Sequence, residues 1–93
     1  MPMKRCTLRG DTVRTVGEFY DHLGKQLALP RHFGRNLDAL YDVLSTDIPG
    51  PVEITWLGAV SSERAMGEAE FSRIVGVLKQ IEFEREDFRL RLS

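Results

Sequence analysis

Asp38 and Asp42 stand four residues apart in the run Asn36-Leu37-Asp38-Ala39-Leu40-Tyr41-Asp42-Val43-Leu44. At that spacing two carboxylates share one side of a helix, one turn above the other. Such a pair can divide the roles of general acid and base, or present two fixed charges to a cationic partner. It also weakens an isolated helix by roughly 0.2–0.5 kcal/mol, so the spacing marks either a site or ordinary solvated surface. Tyr41 lies between the two, with His32 and Phe33 in the loop upstream. Aromatics beside charges on a rigid helix are common ingredients of binding hot spots. A plainer account puts Tyr41 in the core, Phe33 against the sheet and the aspartates in solvent. Residue types alone leave both accounts open.

Little else in the chain can carry chemistry. Cys6 is the single cysteine, so no internal disulfide and no multi-cysteine zinc site is available. His22 and His32 are too few and too scattered to hold a metal. Gly34 and Gly58 are isolated, with no phosphate-cradling loop around them, and Ser61-Ser62 lacks a nucleophile elbow. No catalytic residue, metal or cofactor is expected. Arg89 and Arg91 alternate on one strand face with no aromatic between them, which describes solvated sheet rather than a nucleic-acid surface.

With 93 residues the chain is expected to form one domain, 1–93, with a single core in two packed layers. Its net charge of −1 leaves any electrostatic function local and argues for neither nucleic acid nor membrane as partner. No apolar run approaches the roughly 20 residues that cross a bilayer, and Met1-Pro2-Met3-Lys4-Arg5 leads into no signal-like segment. A reduced, cytoplasmic, monomeric protein is the expectation.

The elements that must position the aspartates follow from periodicity. Met3 to Leu8 alternates as a strand, with Cys6 and Leu8 inward. Thr15-Val16-Gly17-Glu18 has the form of a capping box, with Glu18 reaching back to Thr15. The helix it opens runs to about Leu27, with Phe19, Leu23 and Leu27 inward, and Pro30 prevents its continuation. A second helix starts at Asn36 and ends near Leu44 or Ser45, burying Leu37, Leu40, Tyr41 and Leu44. Val52 to Trp56 alternates again. A short helix near Ser61 to Met66 and a longer one from Glu68 follow, the latter with Phe71, Ile74, Val75 and Leu78 inward. Phe88 to Leu92 is a last strand. The order β-α-α-β-α-α-β implies parallel pairing, and alternating strands imply one covered face. The expected fold is two-layer α/β, a three-stranded parallel sheet with helices on one face.

The stretch Leu27-Ala28-Leu29-Pro30, then Phe33-Gly34, then Asn36 to Leu44, closely resembles the central segment of the barstar family of bacterial ribonuclease inhibitors. The flanks agree in element order, in Trp56 at the end of the second strand, and in the closing strand. The resemblance implies a non-enzymatic inhibitor whose second helix and preceding loop enter the active-site cleft of a ribonuclease, one to one. Asp38 and Asp42 match the family's helix carboxylates, which stand in for RNA phosphates. Gly34 and Asn36 match loop positions that meet the partner, and Tyr41 replaces the helix tryptophan. Phe33 and Ser45 complete the contact set on either side. Departures lie at the edge: His32 replaces a tyrosine, Arg31 and Arg35 replace acidic neighbours, Gln80 replaces a glutamate of the last helix, and Asp47 replaces a tryptophan. Those changes imply a less basic enzyme rim, or a barstar-fold binding module for a different partner.

Overall fold

The structure, a computed structural model, describes residues 3–93. Its elements in order are β1 (Lys4–Arg9), α1 (Val16–Leu27), α2 (Leu37–Asp42), β2 (Val52–Leu57), α3 (Ala59–Met66), α4 (Glu68–Glu84) and β3 (Phe88–Leu92). The three strands form one parallel sheet in the order β1-β2-β3. That is the expected α/β architecture, with boundaries displaced by a residue or two.

Strand alternation decides which face is covered. Cys6, Leu8, Val52, Ile54, Trp56 and Phe88 are buried under the helices. On the opposite face Arg5, Thr7, Arg9, Arg89 and Arg91 are exposed, and Glu53 sits between Arg5 at 3.9 Å and Arg91 at 3.3 Å. Such exposed pairs contribute little to stability. Each sheet edge is met by one side chain. The Gln26 amide of α1 takes both the N–H and the C=O of Thr7, each at 2.8 Å, and the Glu82 carboxylate of α4 accepts from the Leu90 N–H at 2.8 Å. Open strand edges invite pairing with other chains, and these bonds satisfy one residue on each edge, Thr7 and Leu90.

Trp56 is the centre of the core. It is fully buried, stacked on Phe19 at 5.5 Å and met edge-on by Phe71 at 5.1 Å. A buried indole N–H needs an acceptor, and the Ser62 hydroxyl supplies one at 2.8 Å. Ser62 is therefore a core partner of Trp56. Cys6 is buried in the same core, across from Ile54, and burial pushes its thiol up to about 12. It is an inert thiol in this fold.

The expected capping box forms: Thr15 caps the Glu18 N–H at 3.0 Å, and the Glu18 carboxylate reaches back to accept from the Thr15 hydroxyl at 3.4 Å and from the Arg14 N–H at 3.0 Å. One local expectation is corrected. The helical path of α2 does not stop at Ser45 but continues as a wider π-helical turn, Val43–Asp47, closed by Ile48 N–H to the Val43 carbonyl at 3.2 Å. Widened turns of this kind often accompany functional sites.

Candidate functional site

The chain leaves α1 at Ala28, whose left-handed φ of 54° turns it sharply toward the loop of residues 29–35. The loop is then tied down from inside. Phe33 packs edge-on against Tyr20 of α1 with ring centroids 5.6 Å apart, and its N–H bonds the Pro30 carbonyl at 3.0 Å. Arg35, also left-handed at φ 52°, turns its guanidinium away from the loop tip. That group pairs with Asp21, donates to the Gly17 carbonyl at 3.2 Å, and lies 6.0 Å from the centre of the Tyr20 ring. Arg35 is thus a tether between loop and α1, which the sequence did not reveal. Arg31 and His32 are left exposed at the tip.

Asn36 starts α2. Its Oδ1 accepts from the Ala39 N–H at 2.8 Å, and its Nδ2 donates to the Gly34 carbonyl at 3.3 Å. Helix start and loop end are therefore one unit. A Cβ on Gly34 would come within 3.2 Å of the Ala39 Cβ, so a small residue is favoured there. From this start Leu40, Val43 and Leu44 point into the core, while Leu37 and Tyr41 are only half-buried. The expected buried face is rotated, with Val43 taking a place that had been assigned to Tyr41.

Tyr41 instead serves the neighbouring helix. Its hydroxyl donates to Glu84 of α4, which also accepts from the Gln80 amide at 2.8 Å. The bond to Glu84 raises the Tyr41 pKa, with desolvation adding to it. The same bond, with that from Gln80, lowers the Glu84 pKa. The Ser45 Oγ is buried and makes no hydrogen bond. Glu84 sits one turn beyond Gln80 and is held beside Tyr41. Its i, i+4 spacing from Gln80 was the available signal.

Arg85 fixes the far end of the unit. Its Nη1 donates to the carbonyls of Leu44 at 2.6 Å and Ile48 at 3.0 Å, the end of the helical path. Its other two nitrogens grip Asp87, each at 2.9 Å, and hold that carboxyl below its ordinary range. A cation at a helix C-terminus satisfies orphan carbonyls and opposes the helix dipole.

Asp38 and Asp42 are exposed on the helix so fixed, and neither has an ion-pair partner among the described residues. Holding two unpaired carboxylates on a scaffold anchored at both ends suits recognition of a cationic surface. The two described concavities lie elsewhere. One of ≈ 390 Å³ is lined by Gly10, Asp11, Arg14, Ser61, Arg64 and Ala65; one of ≈ 180 Å³ lies under the loop beside Tyr20 and Arg35. Asp38, Asp42 and His32 line neither of these two. No group of three or more His, Cys, Asp or Glu side chains is placed to hold a metal among the described residues. No described helix is long and apolar enough to cross a membrane.

The family model described as Barstar (barnase inhibitor) matches residues 3–93. The chain belongs to the barstar family.

Proposed function

Starting from that membership, we propose that the protein is a cytoplasmic inhibitor of a ribonuclease. It binds one to one, as a monomer, and closes the active site with α2 and the preceding loop. The observation that carries this reading is the pair Asp38 and Asp42, exposed and unpaired on a helix tied at its start by Asn36 and at its end by Arg85. A ribonuclease cleft is built to hold RNA phosphates with cationic side chains. Two carboxylates one turn apart offer those cations charge-assisted, geometrically directed acceptors. Because the scaffold is already ordered, little conformational freedom is lost on binding. Glu84 extends the negative surface from α4, and His32, Phe33, Gly34 and Asn36 form the rim. Arg35 contributes by fixing the loop, and Ser45 by lying beside Tyr41.

The exposed rim is mixed in charge, with Arg31 at the tip of an otherwise acidic surface. It fits an enzyme whose basic cleft carries an acidic spot at its edge.

The test is titration of the protein against RNA cleavage by barnase and by the secreted ribonucleases of the source organism. Asp42→Ala should weaken inhibition at least about thirtyfold, roughly 2 kcal/mol, a scale that the barnase–barstar pair itself helped to set and that is not deduced from this chain. Asp47→Ala, at another exposed aspartate two residues past Ser45, should change it less than about threefold. Equal losses would remove α2 from the interface. No inhibition of any of these enzymes would remove the function and leave a barstar-fold module for another partner.

A further inference from the structure

Two residues on the outer side of α4 have no role in the fold. Phe83 is 87% exposed, the most open large apolar side chain among the described residues. Gly76 lies two turns earlier in the same helix, and a Cβ there would meet nothing within 4 Å. Glycine inside a helix weakens it relative to alanine, and no close approach within this molecule explains its presence. Gly76, Gln80 and Phe83 follow i, i+4, i+7 and are all exposed, so they form one stripe. The stripe faces away from the buried Ile74, Val75, Leu78 and Ile81. Its middle member, Gln80, donates to Glu84, which accepts from Tyr41. The stripe is therefore continuous with the acidic surface of α2.

We propose that this outer stripe of α4 is a second contact strip for the ribonuclease, with Phe83 as an apolar anchor and Gly76 as a point of close backbone approach. The inference rests on the inhibitor reading and adds a specificity element to it. The occupant is a cationic enzyme with an apolar recess beside its basic cleft. Charge complementarity selects it over a second copy of this chain. In sequence Phe83 is followed by the exposed Glu84 and Glu86, while Glu82 is turned to the sheet edge and Arg85 inward onto Leu44 and Ile48. Lys79, one turn back, is an exposed cation with no ion pair among the described residues. Two copies meeting through this end of α4 would set like charges against each other, whereas a basic rim would be attracted.

The inference makes two variants move stability and binding independently. Phe83→Ala should leave the melting temperature unchanged, because the ring is exposed. It should weaken inhibition at least about tenfold, chiefly through faster dissociation. Gly76→Ala should raise the melting temperature and still weaken inhibition, a pairing of signs that a purely structural role does not give. Val60→Ala, an exposed apolar side chain on α3, should change neither. The enzyme used is whichever wild-type protein inhibits best among barnase and the secreted ribonucleases of the source organism. Wild-type inhibition by both α4 variants would overturn the inference and leave the inhibitor reading standing. So would a wild-type dimer in sedimentation that Phe83→Ala abolishes. Failure of the wild-type protein to inhibit any of these enzymes would overturn both.

Discussion

Two arginines hold the candidate site to the rest of the molecule, one at each end, and they do it differently. Arg85 is 14% exposed, donates to two backbone carbonyls and grips Asp87 with two nitrogens. Arg35 is 48% exposed, and its partners Asp21 and Gly17 lie on the surface of α1. A hydrogen bond from a charged donor to a poorly solvated carbonyl is strong, because the carbonyl has no water to return to when it is lost. An exposed ion pair exchanges with solvent and contributes about 0–1 kcal/mol. The difference separates two jobs. Arg85 is part of what keeps α2 folded onto the molecule, whereas Arg35 sets where the loop rests.

The largest effect should come from Arg85. Arg85→Met keeps most of the side-chain stem and removes every donor, leaving the Leu44 and Ile48 carbonyls without partners. The expected loss is about 2–4 kcal/mol, the sum of two charge-assisted bonds and imperfect resolvation. For a domain of this size that lowers the melting temperature by roughly 10–25 °C, which calorimetry would detect. A loss below about 1 kcal/mol would place Arg85 in the same class as Arg35 and erase the comparison. Acid should weaken the same clamp. The Asp87 pKa is lowered by Arg85, so its contribution is complete above the ordinary aspartate value near about 3.9 and fades as pH falls through the folded one.

Tyr41→Phe tests the lateral link between α2 and α4 and should cost less than Arg85→Met. Both groups of that link are solvent-accessible, and Glu84 keeps its bond from Gln80. Its signature is in pH rather than size. Glu84 is lowered, so its share is present above the ordinary glutamate value of about 4.3 and lost as pH falls below it. Tyr41 is raised, so the link is also lost as pH climbs beyond about 10, where the unfolded tyrosine ionises first. The stability difference between wild type and Tyr41→Phe should therefore form a plateau between these limits and shrink on both sides. A difference that does not vary with pH would mean the phenol acts by packing alone.

What could be read in the sequence was whatever has a period or a local rule. Alternation gave all three strands, and the side-chain oxygens of Thr15 and Asn36 gave both helix starts, because each signal lies within a few residues of the feature it controls. The unpaired aspartates were visible for the same reason. What could not be read was where long polar side chains go. Arg85 meets Leu44 and Ile48 from 41 and 37 residues away, and Tyr41 meets Glu84 across 43. No spacing rule connects such pairs. The same gap made Tyr41, expected in the core, a half-buried link between helices, and hid that Arg35 ties the loop to α1. The widened turn after Asp42 also escaped, since apolar periodicity continues through it while the hydrogen bonding changes.

The smallest effect on stability should come from Arg35, and it is the most informative about the loop. Arg35→Ala removes the pair with Asp21 and the bond to Gly17 but keeps a Cβ at a φ of 52°. Arg35→Gly removes the same contacts and also relieves a left-handed conformation that costs a residue with a Cβ roughly 1 kcal/mol. If the guanidinium only decorates the surface, Ala should be near wild type in stability and Gly slightly above it. Neither should alter inhibition. If the guanidinium sets the resting place of the loop, both variants should bind the ribonuclease more weakly, by about threefold to tenfold, through a slower approach to the bound shape. Gly should bind more weakly than Ala because it leaves the backbone freer, even though it folds at least as well. Ranking the two variants by melting temperature and then by inhibition should give opposite orders, and matching orders would mean that Arg35 acts on the fold and not on the loop.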